Sequence, residues 1–138
     1  MSKRRIPSDT KYFHYYNANP KNKHTADCVV RAISLGLDKR YKEVLFDLTE
    51  LSWETGYDPT SKQVIDKYLK QNGFIKMKQP RWGNGTKFTG KEFCTSIKRT
   101  AIISIGSHHL SCIKDGKIWD IWDCSGRCVG SYWVKDGN

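Results

Sequence analysis

The sequence predicts an α+β fold, with N-terminal helices packed on a C-terminal antiparallel β-meander. Three observations carry that expectation. Between residues 28 and 73 the apolar residues recur at helical spacing. After residue 100 they run or alternate as they do in strands. Between two of those runs stands Asp115-Gly116, a dipeptide favoured in two-residue hairpin turns.

Taken in order, residues 1–14, opening "MSKRRIPSDT", read as a basic, flexible arm, and residues 15–138 as a single domain. "YFHYYNANPKNK" is aromatic, then rich in Asn and Pro, as an extended segment ending in a turn would be. From Cys28, the positions Val29, Ala32, Ile33 and Gly36 make one helical stripe. Thr25 or Asp27 can cap this helix, and Gly36 stands where a C-terminal glycine would end it. Tyr41, Val44, Leu45, Leu48 and Leu51 form the stripe of a second helix. Thr60 and Gln63 make a capping box for a third, which buries Ile65, Tyr68 and Leu69 and closes at Gly73. "FIKMK" reads as a short strand, and Thr89 with Glu92 caps a short helix through Phe93 and Ile97. "TAIISI", "HHLSCIK", "KIWDIWD" and "CVGSYWV" are the four strands of the meander.

At 138 residues, with five Trp, seven Tyr and five Phe, the chain can bury a real core. No apolar run approaches the roughly 20 residues of a membrane span. The basic start is followed by no apolar segment, so a secretory signal is not expected and a cytoplasmic protein is. Five cysteines in no evident framework fit free thiols in a reducing compartment. In "CSGRC", Cys124 and Cys128 have no second cysteine pair to complete a zinc site; His108 and His109 could be recruited, but two ordinary thiols flanking a turn is the simpler reading, and neither metal nor cofactor is expected. The net charge of +10 favours an acidic or polyanionic partner, although such charge also serves solubility alone. A protein partner with acidic character is one class. Nucleic acid is another, through "SKRR" and the aromatic-basic stretch "KQPRWGNGTKF", although no named nucleic-acid motif is present.

The hairpin turn also sets a register. Lys114 then pairs with Lys117, Ile113 with Ile118 and Cys112 with Trp119, which puts Ser111 opposite Asp120. Because side chains alternate, His109, Ser111, Ile113, Ile118, Asp120 and Trp122 share one face. His108, Leu110, Cys112, Trp119, Ile121 and Asp123 share the other. His109 and Asp120 are diagonal neighbours, and His108 and Asp123 lie directly opposite. Either pair sets a carboxylate on an imidazole, which orients the ring and stabilises its cation. A bulge would exchange the faces.

Cys28 begins a helix, where unpaired N–H groups and the positive end of the dipole lower a thiol pKa. As a thiolate it would attack a carbonyl, with His109 passing a proton to the leaving group, Asp120 holding the ring and the Cys28 N–H facing the oxyanion. The alternative is a small core residue pointing inward, since free cysteine is commonly buried.

"ADCVVRAI" and "HHLSCIKDGKIWDIWD" resemble the Asp-Cys helix start and the His strand of bacteriocin-leader peptidase domains, compact members of the papain-like cysteine peptidases. "NANPKNKHTADCVVRAIS", "GYDPTS" and "HLSCIKDGKIWDIWD" together resemble small proteins of bacterial phages and prophages over residues 15 to 133. The resemblance implies a papain-like fold, phage or prophage origin, and a cysteine peptidase or isopeptidase cutting an amide bond of a protein. Cys28 is then the nucleophile, His109 the base and Asp120 the orienting acid, with His108 and Asp123 as alternates. Papain-like enzymes place a Gln about six residues before the cysteine as oxyanion donor. Asn22 stands there instead, and Asn19 is a second candidate. Transglutaminase-type acyl transfer uses the same three residues. A non-catalytic inhibitor on the same fold, binding a host or defence protein, is the other outcome.

Overall fold

The computed structural model describes residues 6–137. Its α+β architecture contains a short strand β1 (Phe13–Tyr15), then helices α1 (Cys28–Leu37), α2 (Tyr41–Thr55) and α3 (Lys62–Gln71). Strand β2 (Phe74–Met77) and helix α4 (Gly90–Ser96) follow, and then β3 (Ala101–Ile105), β4 (His109–Lys114), β5 (Lys117–Asp120) and β6 (Val129–Lys135).

All six strands form one sheet in the order β1-β5-β4-β3-β6-β2. Strands β3, β4 and β5 make the expected meander, but β6 does not extend it. It crosses back to pair with the free edge of β3, and β2 adds antiparallel to β6. At the other edge β1 runs parallel to β5, with Phe13 opposite Ile118 and Tyr15 opposite Asp120. The expected arm over residues 1–14 therefore stops short of its boundary. Phe13 is fully buried and draws its neighbours into the sheet, while residues 1–5 lie outside the described residues.

The sheet separates two apolar cores. Adjacent residues of β3 serve opposite sides: Ile102 packs with Ile33, Leu48 and Leu69 under the three N-terminal helices, and Ile103 packs with Phe13, Phe93, Ile113 and Ile118 on the α4 side. The β4–β5 turn is a two-residue one with positive φ at both Asp115 (51°) and Gly116 (75°), and the pairs Lys114–Lys117, Ile113–Ile118 and Cys112–Trp119 form as its geometry demands.

Local details differ from the sequence expectation where packing intervenes. Gly36 does not end α1. It lies inside the helix, where a Cβ would come within 2.4 Å of Ile102, so its missing side chain lets helix and sheet approach. Asp38, in the left-handed region, closes the helix instead. Leu45 is 38% exposed despite its place in the α2 stripe. Helix α3 is capped by Ser61, whose hydroxyl accepts the Val64 N–H, while Thr60 turns back to Asp58. The Thr89–Glu92 capping box of α4 forms in full.

Candidate active site

Cys28 is the first residue of α1, and what precedes it explains its surroundings. Asp27 occupies the N-cap position but makes no capping hydrogen bond with its side chain. Its carboxylate turns inward. Oδ1 accepts from Arg31 Nε at 2.8 Å, and Oδ2 accepts from Tyr41 Oη at 2.8 Å and Asn19 Nδ2 at 3.0 Å. The first amides of the helix are thus left without a side-chain cap, beside the half-buried sulfur.

Sulfur and imidazole line one cleft at the sheet end. Cys28 Sγ lies 3.8 Å from the carbonyl oxygen of His108. Burial pushes the Cys28 thiol up, but hydrogen bonds from the His109 ring and the Leu110 backbone, and the charges of His109 and Arg31, bring it below its ordinary value. On the hairpin, His109 Nε2 donates to Asp120 Oδ2 at 2.7 Å. Ser111 Oγ donates to the same oxygen at 2.7 Å, while Arg31 Nη1 at 2.8 Å and the Ile121 N–H at 2.7 Å both donate to Oδ1. Asp120 is fully buried, yet all these donors hold its carboxyl below the usual range against the opposing effect of burial. Burial alone would lower the His109 pKa. The bond to Asp120 and the contacts with Cys124 and Cys28 outweigh it, and the ring is pushed up to about 11. The arrangement favours a thiolate facing an imidazolium.

The structure thus brings Cys28, His109 and Asp120 together, and leaves the alternates apart. His108 is exposed in the β3–β4 turn. Asp123 engages Ser125 through both the N–H and the hydroxyl of that residue, so no His108–Asp123 pair forms. Neither expected oxyanion donor lines the cleft at Cys28. Asn19 holds Asp27 and accepts from the Lys21 N–H. Asn22 is exposed, in a turn with φ of 54°. Its side chain keeps to its own loop, where Oδ1 accepts from Asn17 Nδ2 at 3.5 Å.

Two neighbours went unread in the sequence. Arg31 is 5% exposed and joins Asp27 to Asp120; its signal was a lone charge inside an apolar helix stripe. Cys124 is fully buried, its thiol pushed up by burial, with the His109 ring on it. Among the described residues, His109, Asp120 and Cys124 could offer ligand atoms to a metal, all within 4.8 Å of one another. Both Asp120 oxygens already accept two hydrogen bonds, one of them from a guanidinium that opposes a second cation. The set fits a hydrogen-bonded network better than a metal centre. Cys128, the other thiol of "CSGRC", is exposed and outside that set.

A cleft of about 570 Å³ opens from the sulfur between α1, α3 and the sheet. Val29, Ile65 and Trp133 contribute its apolar wall, and Lys62, Lys76 and Asp66 its charged part. Asp66 is paired with Lys76 at 3.3 Å, which leaves the cleft with a positive balance. Of the segments suggesting nucleic acid, the "SKRR" residues lie outside the described residues, and Trp82 stacks on Phe88 with ring centroids 4.0 Å apart. No helix among the described residues is long and apolar enough to cross a membrane. No family model, no curated protein and no solved structure matches this chain.

Proposed function

We propose that the chain is a papain-like cysteine hydrolase, a peptidase or isopeptidase that cuts an amide bond in a protein through Cys28, His109 and Asp120. One observation supports the reading: the His109 ring, held by Asp120 through Nε2, and the helix-start sulfur of Cys28 line the same cleft.

The chemistry follows from these contacts. The Cys28 thiolate adds to the amide carbon, and the negative oxygen that forms is stabilised by the Cys28 N–H at the uncapped end of α1. With Nε2 committed to Asp120, the other ring nitrogen, Nδ1, gives its proton to the departing amine as the C–N bond breaks. A thioester remains. His109 then takes a proton from water, whose oxygen attacks the thioester carbon, and the C–S bond breaks to release the acid and restore the thiolate. Throughout, Asp120 compensates the charge on the ring. The positive balance of the cleft and the +10 of the whole chain favour an acidic segment around the bond to be cut.

The test uses a biotinylated peptide vinyl sulfone, with the adduct located by mass spectrometry, alongside hydrolysis of a fluorogenic peptide library. The adduct is expected on Cys28 in wild type, strongly reduced in His109→Ala and absent in Cys28→Ala, with library cleavage lost in both variants. Equal modification of Cys28 and Cys124, or indifference to His109→Ala, overturns the proposal. A tight protein complex that survives Cys28→Ser, with no cleavage at all, replaces it with the inhibitor reading.

A further inference from the structure

Arg31 is the sole charged residue of α1, and it lies on the buried side of that helix among Val30, Ala32 and Ile33. A guanidinium in such a place is unfavourable unless carboxylates answer it. Two do, and their positions are informative. Asp27 immediately precedes Cys28 in the chain. Asp120 is the residue that holds His109.

Arg31 itself follows Cys28 by three residues, so the two occupy one face of α1. Its planar fork uses Nε for Asp27 and Nη1 for Asp120, both at 2.8 Å. A chain of links results: the first turn of α1 leads from the sulfur to Arg31, the fork leads to Asp120, and Asp120 leads to the ring, which lines the same cleft as the sulfur. Along this chain only the separation of sulfur and ring must change during a reaction. The other links are covalent or charged hydrogen bonds shielded from water.

We infer that Arg31 is a positioning residue, which fastens the sulfur-bearing end of α1 to the Asp120–His109 pair and so fixes the separation of sulfur and ring. The inference rests on the reading of Cys28 and His109 as a reacting pair, but not on any particular substrate. Lysine cannot take over the role. Its ammonium is a point charge without the fork, and it cannot hold two carboxylates in a set geometry. A guanidinium also remains charged at every pH the protein tolerates, so Asp120 keeps a cation beside it when His109 loses its proton.

The experiment measures alkylation of Cys28 by iodoacetamide as a function of pH, peptide by peptide, with exposed Cys128 as internal reference and the melting temperature recorded alongside. In Arg31→Lys the acid limb of the Cys28 profile is expected to move upward by about one pH unit, a roughly tenfold slower reaction on that limb. The alkaline plateau should stay in place. Asp27→Asn removes the charge that faces Nε while leaving the Nη1 bond, and a smaller shift in the same direction is expected. Profiles that overlie the wild type, whatever the melting temperature does, overturn the positioning role. Should Arg31→Lys fail to fold, Asp27→Asn decides alone, and an unmoved limb there overturns the role equally. Wild-type Cys28 reacting no faster than Cys128 at mildly acidic pH would instead remove the hydrolase reading itself.

Discussion

His109 Nε2 donates to Asp120 Oδ2 across 2.7 Å, from the first residue of β4 to the last residue of β5. The two residues are diagonal neighbours on one face of a single hairpin, and the two-residue turn at Asp115-Gly116 alone suffices to align them. Everything the ring does toward Cys28 starts from this bond. It selects which ring nitrogen remains free, and it holds the imidazolium charge next to a carboxylate that water does not reach.

The pH dependence of stability reports on the pair. Asp120 has a depressed pKa, so its contribution is present above the unfolded value of about 4 and is lost as pH falls through the folded value. His109 has a raised one, so its contribution is complete below the unfolded value of about 6.5 and is lost as pH climbs toward about 11. The melting temperature of Asp120→Asn should therefore fall furthest below wild type between about pH 4 and 6.5. The gap should narrow on both sides of that window. A gap of constant size across the whole range would contradict a charged pair.

Asn19 and Asn22 should separate by mechanism. Asn19 is buried and donates to Asp27, so Asn19→Ala should cost about 1–3 kcal/mol in urea unfolding by removing one donor from a buried carboxylate. Asn22 is exposed with φ of 54°, and Asn22→Gly should be neutral or stabilising because glycine adopts that backbone freely. Neither Asn22→Gly nor Asn22→Ala should alter peptide cleavage. A loss on the order of a hundredfold or more in Asn22→Ala would restore it as an oxyanion donor.

Gly36→Ala tests the fit of α1 on the sheet. Alanine is the better helix former by about 1 kcal/mol. Its Cβ, however, would stand 2.4 Å from Ile102 Cγ1 and 2.5 Å from Cδ1, and Ile102 is fully buried. Overpacking should prevail, with a net loss of about 1–2 kcal/mol in denaturant unfolding. Adding Ile102→Val removes Cδ1 and should recover part of that loss. A stabilised Gly36→Ala would mean that α1 moves away from β3 freely.

The residues of the site were readable where a local rule places them. Cys28 follows a polar capping stretch, and His109 and Asp120 follow from one turn and the alternation of two strands. Arg31 escaped because a helical stripe counts apolar positions and assigns a charge to solvent. Only Asp120, from the far end of the chain, explains why this charge is inside. The strand order was hidden for a related reason. The alternation in β6 marks it as a strand but names no partner, and it pairs with β3 and β2 rather than continuing from β5. The three residues of β1 are too few for any periodicity to show. Asp27 was read as a cap for its residue type, but the chain turns that carboxylate toward Arg31.

The turn at Asp115-Gly116 has a consequence for the order of events as the chain folds. His109 and Asp120 lie on neighbouring strands and can meet within a hairpin, a contact that forms on the order of microseconds. The thiol, made much earlier in synthesis, must wait until the distant hairpin docks against its helix. If Cys28 acts as proposed, a nascent or partly unfolded chain carries a sulfur that is chemically quiet, and only the finished molecule arms it. The reactivity of one atom near the start of the polypeptide becomes a gauge of whether its last strands have arrived.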